Sequence, residues 1–132
     1  MPQFPITPTR QKILERIPDY EVAMLPASGT VSVKLGDQEI ARSSSALLVK
    51  ETRHADVFYL PREDVDMSCL ARTDHTTYCP FKGHASYWTA SAGGGVEPNV
   101  VWSYEDPYPE VIELKDYLSF YPDRTEISFV AD

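Results

Sequence analysis

The sequence predicts an all-β protein, a small rolled sheet or barrel of about eight short strands with one short N-terminal helix. From Tyr20 onward, apolar residues recur with a period of two, which is typical of half-buried strands. Gly- and Pro-rich turn signals separate these stretches at intervals of about 8 to 12 residues. The chain has 132 residues, 42% of them hydrophobic and 24% charged. These values are ordinary for a single globular domain.

One short helix is predicted near residues 8 to 17. Thr7 offers an N-cap, and Pro8 takes the first helical position, where its missing N–H does no harm. One helical face carries the apolar residues Ile13, Leu14 and Ile17. Pro18 ends the pattern. We therefore expect residues 1–28 to form an N-terminal tail and helix, and residues 29–132 to form a single β-rich domain.

The strands follow from short apolar or alternating runs. They are predicted at Tyr20–Met24, Val31–Leu35, Glu39–Ala41, Ala46–Val49, Val57–Leu60, Ala85–Ala90, Val100–Tyr104, Tyr117–Tyr121 and Glu126–Val130. Gly36-Asp37 is a two-residue hairpin loop with Gly first, which suits a primed turn. Residues 62 to 73 are less regular, and a helical turn through Asp64 to Leu70 is predicted there.

The charge balance argues against several classes of partner. The formal net charge is −8, and the Lys and Arg residues are scattered singly. Binding to nucleic acid or to an anionic membrane surface requires clustered cations, so neither is expected. No run of about 18 apolar residues appears, and the first residues lack the pattern of a signal peptide. We expect a cytoplasmic protein with free thiols at Cys69 and Cys79. The sequence leaves open whether the chain forms a homo-oligomer.

The densest cluster of chemically versatile residues begins at Cys79-Pro80-Phe81-Lys82-Gly83. Pro80 favours a β-turn that brings Cys79 and Lys82 together, and a nearby ammonium favours the thiolate form of a cysteine. Cys79, Lys82 and His84 are therefore candidate catalytic residues, with His84 as the base. Two alternatives stay open. Cys79 is a packed thiol and Lys82 pairs with a carboxylate, or the loop binds a ligand without covalent chemistry.

The same stretch also contains residues that can bind a metal ion. Cys69, His75, Cys79 and His84 give four candidate ligands, but neither cysteine belongs to a Cys-x-x-Cys knuckle. No metal and no cofactor are predicted.

The second cluster is Tyr59-Leu60-Pro61-Arg62-Glu63-Asp64-Val65. Arg62 offers a planar fork suited to a carboxylate or phosphate, so it is a candidate for holding a small anionic molecule together with Lys82. The alternative is an ion pair of Arg62 with Asp64 or Glu51. The candidate ligand-binding residues are Tyr59, Arg62, Asp64, Lys82, Tyr87, Trp88, Trp102 and Tyr104. For the aromatic residues Trp88, Trp102, Tyr104 and Tyr121, packing in the core is the more common role, and a ligand-binding surface is the alternative.

The two clusters together resemble domain of unknown function family 427. The matching motifs are Tyr59-x-Pro61-Arg62-x-Asp64-Val65, Thr77-x-Cys79-Pro80-x-Lys82-Gly83-x-Ala85-x-Tyr87-Trp88, Trp102-x-Tyr104-x-x-Pro107 and Phe120-Tyr121. The resemblance covers about residues 29 to 130 and implies a compact β-rich fold. A nucleotidyltransferase label is sometimes attached to the family. The Gly-Ser motif and the spaced metal-binding aspartates of that chemistry are missing from this sequence.

We therefore predict a small-molecule-binding domain with a Cys-Pro-x-Lys-Gly pocket, and leave open whether it is an enzyme. The alternative is a non-catalytic interaction or structural module in which the motif residues determine the fold.

Overall fold

The computed structural model describes residues 8–132, so the predicted cap at Thr7 lies outside the described residues. The elements are α1 (Pro8–Arg16), β1 (Val22–Pro26), β2 (Gly29–Leu35), β3 (Gln38–Ser43), β4 (Leu47–Glu51), β5 (Val57–Tyr59), β6 (Leu70–Cys79), β7 (Gly83–Ala92), β8 (Gly95–Ser103), β9 (Leu118–Phe120) and β10 (Glu126–Ala131). The all-β class with one short helix is confirmed. The described residues contain ten strands, and nine of them correspond to the predicted runs.

The strands form three antiparallel sheets. Their strand orders are β1-β4-β5, β10-β2-β3 and β6-β7-β8-β9. The sheets do not close into a barrel within the described residues. The first and third sheets meet where Leu60 and Leu118 exchange two backbone hydrogen bonds, each 2.8 Å long. β1 corresponds to the strand predicted at Tyr20–Met24, within the segment 1–28, and it pairs with β4 in continuous register.

The hairpin predicted around Gly36-Asp37 is confirmed. β2 and β3 pair antiparallel, and Leu35 faces Gln38 across the two-residue loop. Gly36 has a φ of +60°, the left-handed conformation that a primed turn requires at its first position.

β6 is the strand that the sequence pattern does not reveal. Its central residues are polar and mostly exposed, and its pairing with β7 shifts register between Arg72 and Thr76. A register shift breaks the period of two on which strand prediction depends. The helical turn predicted through Asp64 to Leu70 is replaced by two single 3₁₀ turns, Arg62–Asp64 and Met67–Cys69, separated by extended backbone.

The apolar residues divide into two clusters, and β7 contributes to both. Trp88, Ala90 and Ala92 pack with the β2–β3 hairpin, β8 and β9. Ala85 and Tyr87 pack with a second cluster built on β4 and β5. Successive side chains of a strand point to opposite faces, so β7 separates the two clusters. The candidate site lies beside the second one.

Helix α1 lies on the same side of the molecule as the second cluster. Arg10 is buried, makes an ion pair with Glu110, and lies with its guanidinium 5.0 Å from the ring centre of Phe81. Within residues 8–132, no helix combines the length and the apolar character needed to cross a bilayer.

Candidate functional site

The turn predicted at Cys79-Pro80-Phe81-Lys82 is present between β6 and β7. The Lys82 backbone N–H donates to the Cys79 carbonyl over 3.2 Å, and the Lys82 carbonyl accepts from Tyr108 N–H at 2.9 Å. Gly83 follows with a φ of +113°, a conformation that other residues rarely adopt. The turn is therefore fixed by backbone contacts on both sides, and it orients the Lys82 side chain inward.

Lys82 is a buried cation with three partners. Its ammonium makes an ion pair with Glu51, and the two side chains are only 8% and 11% exposed. It also donates to the Cys79 sulfur at 3.6 Å and lies 5.9 Å from the centre of the Tyr104 ring. An ammonium so enclosed needs a counter-charge, which Glu51 supplies.

Glu51 is the last residue of β4 and lies on the same face as Val49, which is part of the second apolar cluster. Its carboxylate accepts from the Tyr20 hydroxyl as well as from Lys82. The exposed ring of His54 lies 3.7 Å away through Nε2. A buried carboxylate with two donors is held in one orientation.

These groups form one end of a cleft of about 420 Å³. Most of its wall is aromatic or aliphatic, with few polar groups, as is usual for small-molecule sites. The lining residues are Val49, Glu51, His54, Ala55, Val57, Tyr59, Cys79, Lys82, Tyr87, Trp102, Tyr104, Tyr121 and Pro122.

Hydrogen bonds between aromatic side chains shape the wall. The Trp102 indole N–H donates to the Tyr59 hydroxyl at 3.1 Å, and the two rings meet edge to face. The hydroxyls of Tyr87 and Tyr121 lie 3.4 Å apart. Burial is the main cause that raises the pKa of Tyr59 and Tyr104, and burial with the Tyr87 contact raises the pKa of Tyr121 to about 12. These three tyrosines are therefore neutral at physiological pH.

The fold and both motif clusters fall within one family match. The family model described as Domain of unknown function (DUF427) matches residues 23–131. The chain belongs to this family. No curated protein matches the chain. The DUF427 match includes all of β2 to β10 and ends short of Tyr20 and α1 on the N-terminal side.

Six of the ten predicted site residues line the cleft. They are Tyr59, Cys79, Lys82, Tyr87, Trp102 and Tyr104. The other four predicted residues, Arg62, Asp64, His84 and Trp88, are not among its lining residues.

Arg62 lies apart from Lys82, so the two do not form the joint anion cradle that we expected. Its guanidinium pairs with Glu105 at 3.1 Å and lies 5.2 Å from the centre of the Trp88 ring. The predicted ion pair of Arg62 with Asp64 or Glu51 is also replaced by this contact. Trp88 belongs to the first apolar cluster, on the opposite face of β7 from Tyr87.

Asp64 and His84 have structural surroundings of their own. The Asp64 carboxylate accepts from the buried Ser43 hydroxyl at 2.6 Å. His84 is exposed, and its ring lies 4.9 Å from that of Tyr78. The alternation of β7 places His84 on the face opposite Ala85 and Tyr87, so it is not placed to act as the base for Cys79.

The sequence reasoning missed Glu51 as the partner of Lys82, and it missed Tyr20 and His54 altogether. One signal was available for Glu51. In the alternating run before it, Leu47 and Val49 occupy the inward face, and Glu51 continues that face. A carboxylate on an apolar face requires a partner. Nothing local predicts Tyr20, because its contact depends on how the N-terminal segment packs.

The four residues weighed as metal ligands do not come together. Among the described residues, no group of three or more His, Cys, Asp or Glu side chains is arranged to hold a metal ion. The thiols of Cys69 and Cys79 are both free.

Proposed function

We propose that the cleft binds a small, uncharged organic molecule with a flat, apolar body, and that Cys79 is its polar contact at the end of the cleft. The observation that carries this proposal is the meeting of a thiol, a compensated ion pair and five aromatic residues in one cleft of about 420 Å³. A volume of this order suits a ligand of drug-like size or smaller.

The charge at the end of the cleft favours an uncharged ligand. Lys82 is neutralised by Glu51, and its remaining contacts are with Cys79 and the Tyr104 ring. An anionic group placed there would also approach the Glu51 carboxylate. The small anionic ligand expected from the sequence therefore lacks the second cation that it requires, because Arg62 is engaged elsewhere.

The walls favour a flat ligand. The ring centres of Trp102 and Tyr104 lie 6.1 Å and 6.4 Å from that of Tyr59. Aromatic surfaces bury large apolar areas and prefer stacked or edge-to-face partners. An unsaturated or aromatic ring system is the ligand body that such walls accommodate best.

A matched series of probes tests the proposal. Benzyl alcohol, benzoate and benzylammonium share one ring and differ in charge. In ¹H–¹⁵N NMR spectra, the chain has two indole N–H signals, since it contains two tryptophans. Trp102 lines the cleft and Trp88 does not.

We expect benzyl alcohol to shift the Trp102 indole signal in a saturable manner and to leave the Trp88 signal unchanged. Benzoate should shift it less at equal concentration. Equal and non-saturating shifts of both indole signals with all three probes would contradict the proposal. A larger effect of benzoate would contradict the assignment of an uncharged ligand.

A second candidate is a structural role for the motif. The turn hydrogen bonds from Lys82 to Cys79 and from Tyr108 to Lys82 support it, because they tie β6, β7 and the segment after β8 together. This candidate predicts that Lys82→Met lowers stability and that none of the three probes reaches saturation. Saturable binding at Trp102 separates the two candidates.

A further inference from the structure

We propose that Tyr20, which lies outside the family match, is a positioning residue for the Cys79–Lys82–Glu51 group. This inference rests on the proposed function of the cleft. It concerns what holds Lys82 and Glu51 in place beside the Cys79 thiol.

Tyr20 contacts Glu51 and the turn that carries Cys79 and Lys82. Its hydroxyl donates to Glu51 Oε2, while Lys82 donates to the other carboxylate oxygen, Oε1. Its ring stacks on Phe81 with a centroid distance of 4.3 Å and an interplanar angle of 19°. Phe81 is the residue between Pro80 and Lys82 in the Cys79–Lys82 turn. One side chain therefore touches the turn and the carboxylate that faces it.

The backbone next to Tyr20 is anchored to the same strand end. Glu21 N–H donates to the Thr52 hydroxyl at 2.9 Å, and Thr52 N–H donates to the Glu21 carbonyl at 3.0 Å. Val22 then pairs with Glu51 as the first residue of β1. The two residues that follow Tyr20 therefore pair with Thr52 and Glu51. These contacts keep the Tyr20 hydroxyl close to the Glu51 carboxylate.

The consequence is a fixed chain of donors. Glu51 accepts from Tyr20 on one oxygen, so its other oxygen is directed at Lys82, which in turn donates to the Cys79 sulfur. Burial and the Glu51 contact raise the pKa of Tyr20, so the hydroxyl keeps its proton over the pH range in which thiols are alkylated. Without that hydroxyl, Glu51 can rotate and Lys82 is held less firmly at the sulfur.

The test measures alkylation of each cysteine by iodoacetamide in the full chain, by peptide mass spectrometry. Tyr20→Phe removes the hydroxyl and keeps the ring on Phe81. Losing one hydrogen bond of this kind should slow Cys79 alkylation by roughly three- to tenfold. The rate at Cys69 should not change. Tyr117→Phe is the matched control, because the Tyr117 hydroxyl has no hydrogen-bond partner among residues 8–132.

A double-variant cycle separates positioning from a general loss of structure. In a Glu51→Gln or Lys82→Met background, Tyr20→Phe should have no further effect on Cys79, because the link through which it acts is already broken. Urea denaturation of each variant verifies that the chain is folded under the labelling conditions.

The outcomes are distinguishable. If Lys82→Met slows Cys79 and Tyr20→Phe does not, the inference about Tyr20 is wrong and the proposed role of Lys82 stands. The inference is also overturned if Tyr20→Phe slows both cysteines equally, or if its effect persists in the Glu51→Gln background. If Lys82→Met itself leaves Cys79 unchanged, the role of Lys82 at the thiol fails, and the positioning role falls with it.

Discussion

The Cys79–Lys82 turn and the Arg62–Asp64 turn are both short segments at strand ends, and each carries one cation. Lys82 is buried, and its partner Glu51 belongs to a strand of a different sheet. The Arg62 side chain is 35% exposed and shares Glu105 with Arg72. The difference lies in the counter-charge: Glu51 is itself a cleft residue, so Lys82 is drawn into the cleft, whereas Glu105 is not among the lining residues and holds Arg62 outside it.

Lys82→Met is the change with the largest expected effect. It leaves the Glu51 carboxylate buried without its counter-charge, which should lower the free energy of unfolding by about 3 kcal/mol. Arg62→Met should cost about 1 kcal/mol or less, because that pair is partly exposed. Urea denaturation measures both. Equal costs would contradict the distinction between the two turns.

Asp64→Ala should have an intermediate effect. Ser43 is buried, and its hydroxyl donates to Asp64 at 2.6 Å. Asp64→Ala leaves the Ser43 hydroxyl proton without its acceptor, while the Ser43 oxygen still accepts from Ser45 N–H at 2.9 Å. We therefore expect a loss of about 1 to 2 kcal/mol in thermal or urea unfolding. A cost below that of Arg62→Met would show that Asp64 is not the main stabilising residue of its turn.

Glu105→Gln should have the smallest effect, and this effect should appear in the pH dependence of the free energy of unfolding. Its hydrogen bond with Arg72, helped by Ser86 and Arg62, lowers the pKa of this carboxyl below its ordinary value. Because the folded-state pKa is depressed, the resulting stability is present above the unfolded-state pKa of about 4.3 and is lost as pH falls through the folded-state value. Glu105→Gln should flatten the stability profile below about pH 4.5. An unchanged acid slope would contradict this assignment.

The sequence predicted the β class, the N-terminal helix and nine of the strands because alternation and turn residues are local signals. The Cys79–Lys82 turn was equally local, since Pro80 restricts the backbone on either side of it. β6 was missed because its pairing is irregular and its exposed residues are polar.

The candidate site was only partly predictable, for a different reason. Tyr59, Trp102 and Tyr104 were identified as aromatic candidates, but which of the candidates share a wall is decided by how three sheets pack. Glu51 was considered as a partner for Arg62, and only the tertiary structure pairs it with Lys82. His84 was near Cys79 in sequence, yet strand alternation directs it away.

The most direct test of the account compares the two cysteines. Cys79 has the Lys82 ammonium at 3.6 Å, whereas burial and the nearby Asp66 raise the pKa of Cys69, whose thiol lies 2.9 Å from the Asp66 carbonyl. Lys82 donates to the Cys79 sulfur, whereas the raised pKa of Cys69 leaves less of that thiol as the reactive thiolate. At neutral pH, iodoacetamide should therefore modify Cys79 about tenfold faster than Cys69. Lys82→Met should reduce this difference, Arg62→Met should preserve it, and benzyl alcohol should protect Cys79 alone. Equal rates for the two cysteines, unchanged by Lys82→Met and by the probe, would contradict the claim that Lys82 and Cys79 form a reactive end of a binding cleft.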